Sequence, residues 1–326
     1  MIDVDKTAAF IAGVQQPDGA IPWFPGGKLD PWDHVEAAMG LDTAGRHDEA
    51  AAAYHWLART QNPDGSWYAE YHDGRPADLA RDANFTAYIA VGVHHHYRTT
   101  GDTTFLTTLW PAVDAAMSFV LGLRAEDGTV HWRRRADGTL SPELLLTGNC
   151  SIQHALTCAA RIAGELGCPR PEWTTAAARI RDAVVHRPGR FLPKPLAMDW
   201  FYPVLTGILG TAHLDARWPQ FVEPGHGVRC VHHEPWTTGG ETAELALALA
   251  VHGDHDRAAQ LLDTLDHLAT GDGSYWTGYN YRTRTIWPEE RTTWTAGAAL
   301  LAHAAIHHDT ATTTTFGRSP GHTRSR

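Results

Sequence analysis

Apolar positions recur along this chain at the spacing of helices rather than strands. Helix-like runs fall at 2–15, 33–44, 47–61, 82–99, 103–124, 148–167, 173–187, 197–213, 215–222, 239–252, 254–269 and 292–308, with 215–222 the weakest. No run reads as a strand of more than about five residues. Start and stop signals support the division. "GDTTF" offers Asp102 or Thr103 as an N-cap, Pro171 stands just ahead of a run, and Gly253 ends one helix before Asp254 opens the next. "LDTAGRHDEAAAAYHWL" and "LAVHGDHDRAAQLLDTL" echo each other as helix, glycine turn, acid and helix.

The runs pair, with a repeat of roughly 50 residues. The second members start near 33, 82, 148, 197, 239 and 292 and are the more apolar, as in "ETAELALALAV" and "TAGAALLAHAAI". First members such as "TAAARIRDAVVHR" are amphipathic. Buried helices inside a ring of amphipathic ones predict an all-α (α/α)6 toroid of six hairpins, one domain over residues 1–308. The Thr-rich, then basic, segment 309–326 has no periodicity and reads as a disordered tail.

Parallel inner helices would gather six loops at one end of the barrel. These loops carry Trp23, Trp32, Trp132, Trp200, Trp236, Trp287 and Trp294, together with Asp33, Asp78, Asp82, Glu143, Asp199, Glu234, Glu241, Glu289 and Glu290. Rings that stack on sugar C–H faces, beside acids that accept from hydroxyls, describe a carbohydrate pocket. Taken singly, each loop also fits Trp packing at a helix end and an acid drawn to a helix N-terminus. The agreement of all six favours the pocket.

Composition narrows the field. A formal net charge of −10 over 326 residues argues against a nucleic-acid partner. No apolar run approaches the ~20 residues of a membrane span. "MIDVDKTAAFIAGVQQ" lacks the basic start and long apolar stretch of a signal peptide, so the expectation is a soluble, cytoplasmic protein. The four cysteines lack C-x-x-C spacing and read as reduced structural thiols. "CVHHE" (Cys230, His232, His233) lacks a structural-zinc spacing, and His94, His95 and His96 point to different sides of one helix, as a solvated face would. No metal or cofactor is expected.

The order of pieces resembles the glucoamylase and trehalase-like glycoside hydrolases. The likeness lies in "LDPWDHVEAAMGLDTAGRHDEAAAAYHWLARTQNPDGSW", in "HHYRTTGDTTFLTTLWPAVDAAMSFVLGLRAEDG" and in "WPEERTTWTAGAALLAHA". It implies a six-hairpin fold and a sugar substrate. It also implies a sugar-holding aspartate at Asp33 and a general base at Glu289 or Glu290. The family's general acid would follow Trp132, where this chain has Arg133, Arg134 and Arg135; Glu143 is the nearest replacement. Those arginines fit either a solvated loop or a grip on a substrate anion. "QQPDGAIPW" and "QNPDGSWY" resemble the Q-x-x-x-G-x-W motif of squalene cyclases and prenyltransferases, which are also α/α toroids.

Inverting cleavage of a glycoside needs a protonated carboxyl and an ionised carboxylate about 6.5–9.5 Å apart. The candidates are Glu289 or Glu290 as base, Glu289 being favoured by its place after Pro288, and Glu143 as acid. Trp32, Asp33, Asp82, Asp199, Trp236, Glu241 and Trp287 are candidate sugar-binding residues. Thr238 and Glu241 also have capping-box spacing, a structural alternative for Glu241. A terpene-cyclase or prenyltransferase-like enzyme and a non-catalytic sugar-binding toroid remain as other readings.

Overall fold

The computed structural model describes residues 2–317. Six helices form a closed inner ring. They are α2 (Pro31–Thr43), the continuous pair α4 (Ala83–Ala87) and α5 (Ile89–Thr100), α7 (Leu146–Glu165), α9 (Ala197–Leu205), α12 (Gly239–Val251) and α14 (Thr293–Ile306). Each packs on the next, and α14 returns to α2. The outer ring comprises α1 (Val4–Val14), α3 (His47–Thr60), α6 (Thr103–Leu121), α8 (Pro171–His186), the short α10 (Ala212–Asp215) and α11 (Trp218–Phe221), and α13 (His255–Asp263). This is the (α/α)6 barrel, and each inner helix begins within about three residues of its expected start. The nearly all-apolar text of α12 and α14 follows from burial on every side.

The turns leading from outer to inner helices repeat one device. In "QNPDGSW" the Asp64 carboxylate accepts from Ser66 N at 3.1 Å, and the Gln61 amide donates to the carbonyls of Gly65 and Ala112. Gly65 has φ +88°, and a β-carbon there would also collide with the Ala115 carbonyl, so only glycine fits. Gln15 repeats the amide clasp, and Asp127 and Asp272 repeat the turn. The cyclase-like phrases are therefore structural punctuation.

Nine strands, each of two to four residues, edge one end of the barrel among the described residues. β1 (Glu70–His72) pairs with β2 (Arg75–Asp78), and β3 (Arg81–Asp82) with β4 (Arg133–Arg134). β5 (Val222–Glu223), β6 (Gly227–Arg229), β7 (Trp236–Thr238), β8 (Gly278–Asn280) and β9 (Thr285–Ile286) form an antiparallel sheet in chain order.

Three expectations need correction. Residues 309–317 are not a tail: α15 (Thr310–Phe316) packs on α5 with Ala311, Thr312, Thr315 and Phe316 buried. The basic segment 318–326 lies outside the described residues. The triple histidine is not solvated: α15 covers His94 and His95, which pair with Thr315 and Thr312, and His96 is buried against Asp42 of α2. Lastly, α6 is long and apolar enough to cross a membrane by length and composition alone. Here it is an outer helix, with Phe105, Leu109, Val113 and Val120 on the core and Thr107 and Ser118 exposed.

Candidate active site

A cavity of about 440 Å³ opens at the N-terminal end of the inner helices. Its acids come from two of those helices, spaced alike. On α2 they are Asp33 and Glu36; on α12 they are Glu241 and Glu244. Residues three apart share a helix face, so each helix turns a pair of carboxyls the same way. Asp33, Glu241 and Glu244 line the cavity, and Glu36 lies within reach of their charges.

Local structure fixes the first pair. Asp30 caps α2, accepting from Asp33 N at 3.0 Å and from Trp23 Nε1 at 2.9 Å, with Pro31 at the first helical position. Burial raises the Asp30 carboxyl. Asp33 is pushed well above the carboxylate range by burial, then by the charges of Asp30 and Glu36. Burial lifts Glu36 to about 8, against the bond it accepts from Trp32 Nε1 at 3.3 Å.

The second pair depends on glycine. Gly239 and Gly240 start α12, and a β-carbon on Gly240 would overlap the indole of Trp294 from α14. The ring therefore lies against the first turn and reaches the cavity. Thr238 is the N-cap residue, but its hydroxyl makes no capping bond, so the capping box does not form. Glu241 instead lines the cavity with Oε2 unpartnered inside the protein, and it stands beside the Cys230 thiol. Glu244 Oε2 is likewise unpartnered, and burial followed by the charges of Glu36, Glu241 and Asp33 holds this carboxyl well above its usual range. Beneath them Trp32 stacks on Tyr88 at 4.8 Å and leans on Tyr202 at 5.4 Å.

The facing wall differs. Asp82 accepts from Trp132 Nε1 at 2.9 Å and from Arg133 at 3.0 Å, and the Arg133 guanidinium lies 3.7 Å over the Trp132 ring. Burial lifts Asp82 to about 6 against the pull of Arg133. Asp199 is outside the lining but holds Thr147, which is within it, by bonds of 3.2 Å to N and 2.5 Å to Oγ1. Phe85, Leu145 and Met198 complete this side.

The structure thus brings Trp32, Asp33, Asp82 and Glu241 to one cavity and holds Asp199 beside it. Other sequence candidates sit elsewhere on the same end. Glu289 is exposed on the loop before α14, and Glu290 is half-buried, its carbonyl accepting from Thr277 N at 2.9 Å. Arg291, next in the chain, pairs with Asp272 at 2.7 Å rather than with either glutamate. Glu143 accepts from Ser141 and lies 3.7 Å from Arg135. Trp236 and Trp287 pack on each other at 4.9 Å, with Trp287 59% exposed, and Trp200 is buried against Phe221. None of these seven residues lines the cavity. Glu36 and Glu244 are not among the sequence candidates, although a signal exists: each is an acid three residues after another acid in a helix whose residues are mostly buried.

No protein-family model matches the chain. Over 310 residues it is 46% identical to the MMP endo-(1,4)-3-O-methyl-alpha-D-mannosidase of Mycolicibacterium hassiacum, covering 94% of this chain and 86% of that protein. The fold superposes on a glycosidase solved in complex with glucose, with TM-score 0.74 and 16% identity over 93% of this chain and 96% of the other. A D-mannose isomerase matches with TM-score 0.74 and 11% identity over the same shares. At such identities only the fold is shared.

Proposed function

The chain belongs to the glycoside hydrolase family of the M. hassiacum endo-mannosidase, and from that premise we propose that it cuts α-1,4-linked, 3-O-methylated mannose chains internally, by an inverting two-carboxylate reaction between α2 and α12. The observation that carries this reading is the two acid turns, whose Asp33, Glu241 and Glu244 line one cavity with Glu36 buried within reach of their charges. The resemblance to glucoamylase and trehalase-like enzymes supports glycoside hydrolysis, although the roles it implies, Asp33 as a sugar-holding residue and Glu289 or Glu290 as base, differ from those proposed here. A cavity so rich in acids does not suit an isoprenoid.

Asp33 is the general acid in this reading. Burial and the neighbouring Asp30 and Glu36 favour its protonated form at neutral pH, the state needed to donate to the leaving oxygen. Glu241 is the general base. It sits in the first turn of α12 and lines the cavity, and its buried Oε2 has no hydrogen-bond partner inside the protein. Asp33 gives its proton to the glycosidic oxygen as the C1–O bond breaks. Water bonds to C1 from the other face and passes its proton to Glu241. Glu244, held neutral, donates to a sugar hydroxyl, while Glu36, buried outside the lining, accepts from Trp32 Nε1. Trp23, Trp132 and Trp294 offer rings, and Asp82 and Asp199 order the far wall. The base is thereby assigned away from Glu289 and Glu290 and the acid away from Glu143, since none of the three lines the cavity.

The test is turnover of an O-methylated α-1,4-mannooligosaccharide by Asp33→Asn, Glu241→Gln and Glu289→Gln. The first two lose about 10²–10⁴-fold in kcat; the third stays within a few-fold of wild type. Proton NMR of early product shows the β-anomer. Full activity in Asp33→Asn, or an α-anomeric product, refutes the assignment.

A further inference from the structure

We propose that Phe85, Leu145 and Met198 form a methyl-reading wall, which makes the enzyme select sugars whose hydroxyl on that side is capped as a methyl ether. The inference rests on the mannosidase reading above. It adds which residues tell a methylated sugar from a free one.

The three side chains come from successive parts of the inner ring. Phe85 lies in α4, Leu145 is the N-cap residue of α7, and Met198 lies in the first turn of α9. All are half-buried and line the cavity, whereas most other apolar side chains on these helices are fully buried. The opposite helices, α2 and α12, turn carboxyls to the same space. The cavity is therefore two-sided: carboxyls on one flank, and on the other three apolar side chains beside Asp82, Arg133 and Thr147, which are bonded within the protein.

A sugar hydroxyl is both donor and acceptor, whereas a methyl ether keeps the acceptor oxygen and replaces the O–H with a methyl group. Against the acid flank a free hydroxyl finds carboxyl partners. Against the apolar flank it is desolvated with little to accept its proton. Thr147 already donates its hydroxyl to Asp199, and Asp82 is taken up by Trp132 and Arg133. Asn84, the polar neighbour of Phe85, can donate an amide N–H to an ether oxygen as readily as to a hydroxyl, and its Oδ1 is the one side-chain amide acceptor on this flank for a free hydroxyl. A methyl group there gains contact with Met198 and Leu145, and an uncapped hydroxyl loses hydrogen bonds. Met suits the role because its flexible thioether fits an irregular gap.

One methyl group in an apolar pocket discriminates by about 10–200-fold. The test compares kcat/KM on two matched α-1,4-mannooligosaccharides, one 3-O-methylated and one not, for wild type, Met198→Gln and Leu145→Asn. Gln nearly matches Met in volume, and Asn is a favoured N-cap, so both variants keep the fold. Wild type prefers the methylated chain by at least 10-fold, and each variant cuts that ratio at least 5-fold. An unchanged ratio in both variants, or wild-type indifference to the methyl group, overturns the wall and leaves the mannosidase reading intact. No turnover of either chain by wild type overturns both.

Discussion

Gly40 of α2 and Gly297 of α14 meet backbone to backbone: a β-carbon on Gly40 would lie 2.6 Å from the α-carbon of Gly297. A β-carbon on Gly297 would meet the Glu36 carbonyl at 2.8 Å and the Ala37 α-carbon at 2.9 Å. The helix crossing therefore sets the turn that carries Glu36. Gly297→Ala forces the two helices apart, at about 1–3 kcal/mol for an overpacked core. It also lowers kcat by up to about 10²-fold, the cost of misplacing catalytic groups by ~1 Å. Urea denaturation and steady-state kinetics on the folded variant check the two effects separately.

Glu36 gives stability a pH dependence of definite sign. Its folded pKa, about 8, is above the unfolded value. The carboxyl is thus tolerated while neutral, and stability is lost as pH rises from the unfolded pKa through about 8. Glu36→Gln removes that loss. Thermal melts are expected to show the variant gaining on wild type at pH 8.5 and close to it at pH 5. A constant difference at both pH values would contradict the burial argument.

Asp42 joins three helices at the far end of α2. Buried, it accepts from His96 Nδ1 of α5 at 2.9 Å and from His47 Nδ1 of α3 at 3.2 Å. Burial alone would raise its carboxyl, but the bonds from His47 and His96, with His95 Nδ1 3.8 Å away, outweigh burial and hold it well below the usual range. Asp42→Asn breaks the cluster at a cost of about 3–5 kcal/mol. His47 is raised by the bond to Asp42, so its contribution is full below the unfolded histidine pKa and fades as pH rises through the folded one. The gap between wild type and variant in urea should narrow from pH 6 to pH 8.

Phe316 closes the ring from outside. Its ring packs edge-on against His154 at 5.2 Å, and His154 Nε2 bonds the Thr315 carbonyl at 3.0 Å. Phe316→Ala is expected to cost about 3–5 kcal/mol, as for a buried aromatic truncated in a packed core. Truncation after residue 308 costs more, because it also strips His94 and His95 of their threonine partners. Melting temperatures of the two variants rank the effects, with the truncation lower.

Much of the architecture was legible in the text. Periodicity placed the inner helices, since a helix buried on every side has no polar stripe to spare, and "ETAELALALAV" or "TAGAALLAHAAI" fits nowhere else. Asp33 and Glu241 were legible as candidates because each stands at a helix start in a loop rich in Trp or Gly. The ordered end was not: "TATTTTF" has no apolar stripe of its own, and its helix exists because α5 offers histidines to its threonines.

A helical ring, and the concentration of acids and aromatics at its helix starts, can be read from the text because both are periodic, local properties. The text could not rank those acids. Glu289, Glu290 and Glu143 read as well as Glu241, and Glu36 and Glu244 were not among the candidates. Only the tertiary structure decided which carboxyls share one cavity. That depends on how closely α2, α14 and α12 approach, which Gly40, Gly297 and Gly240 permit by having no side chain.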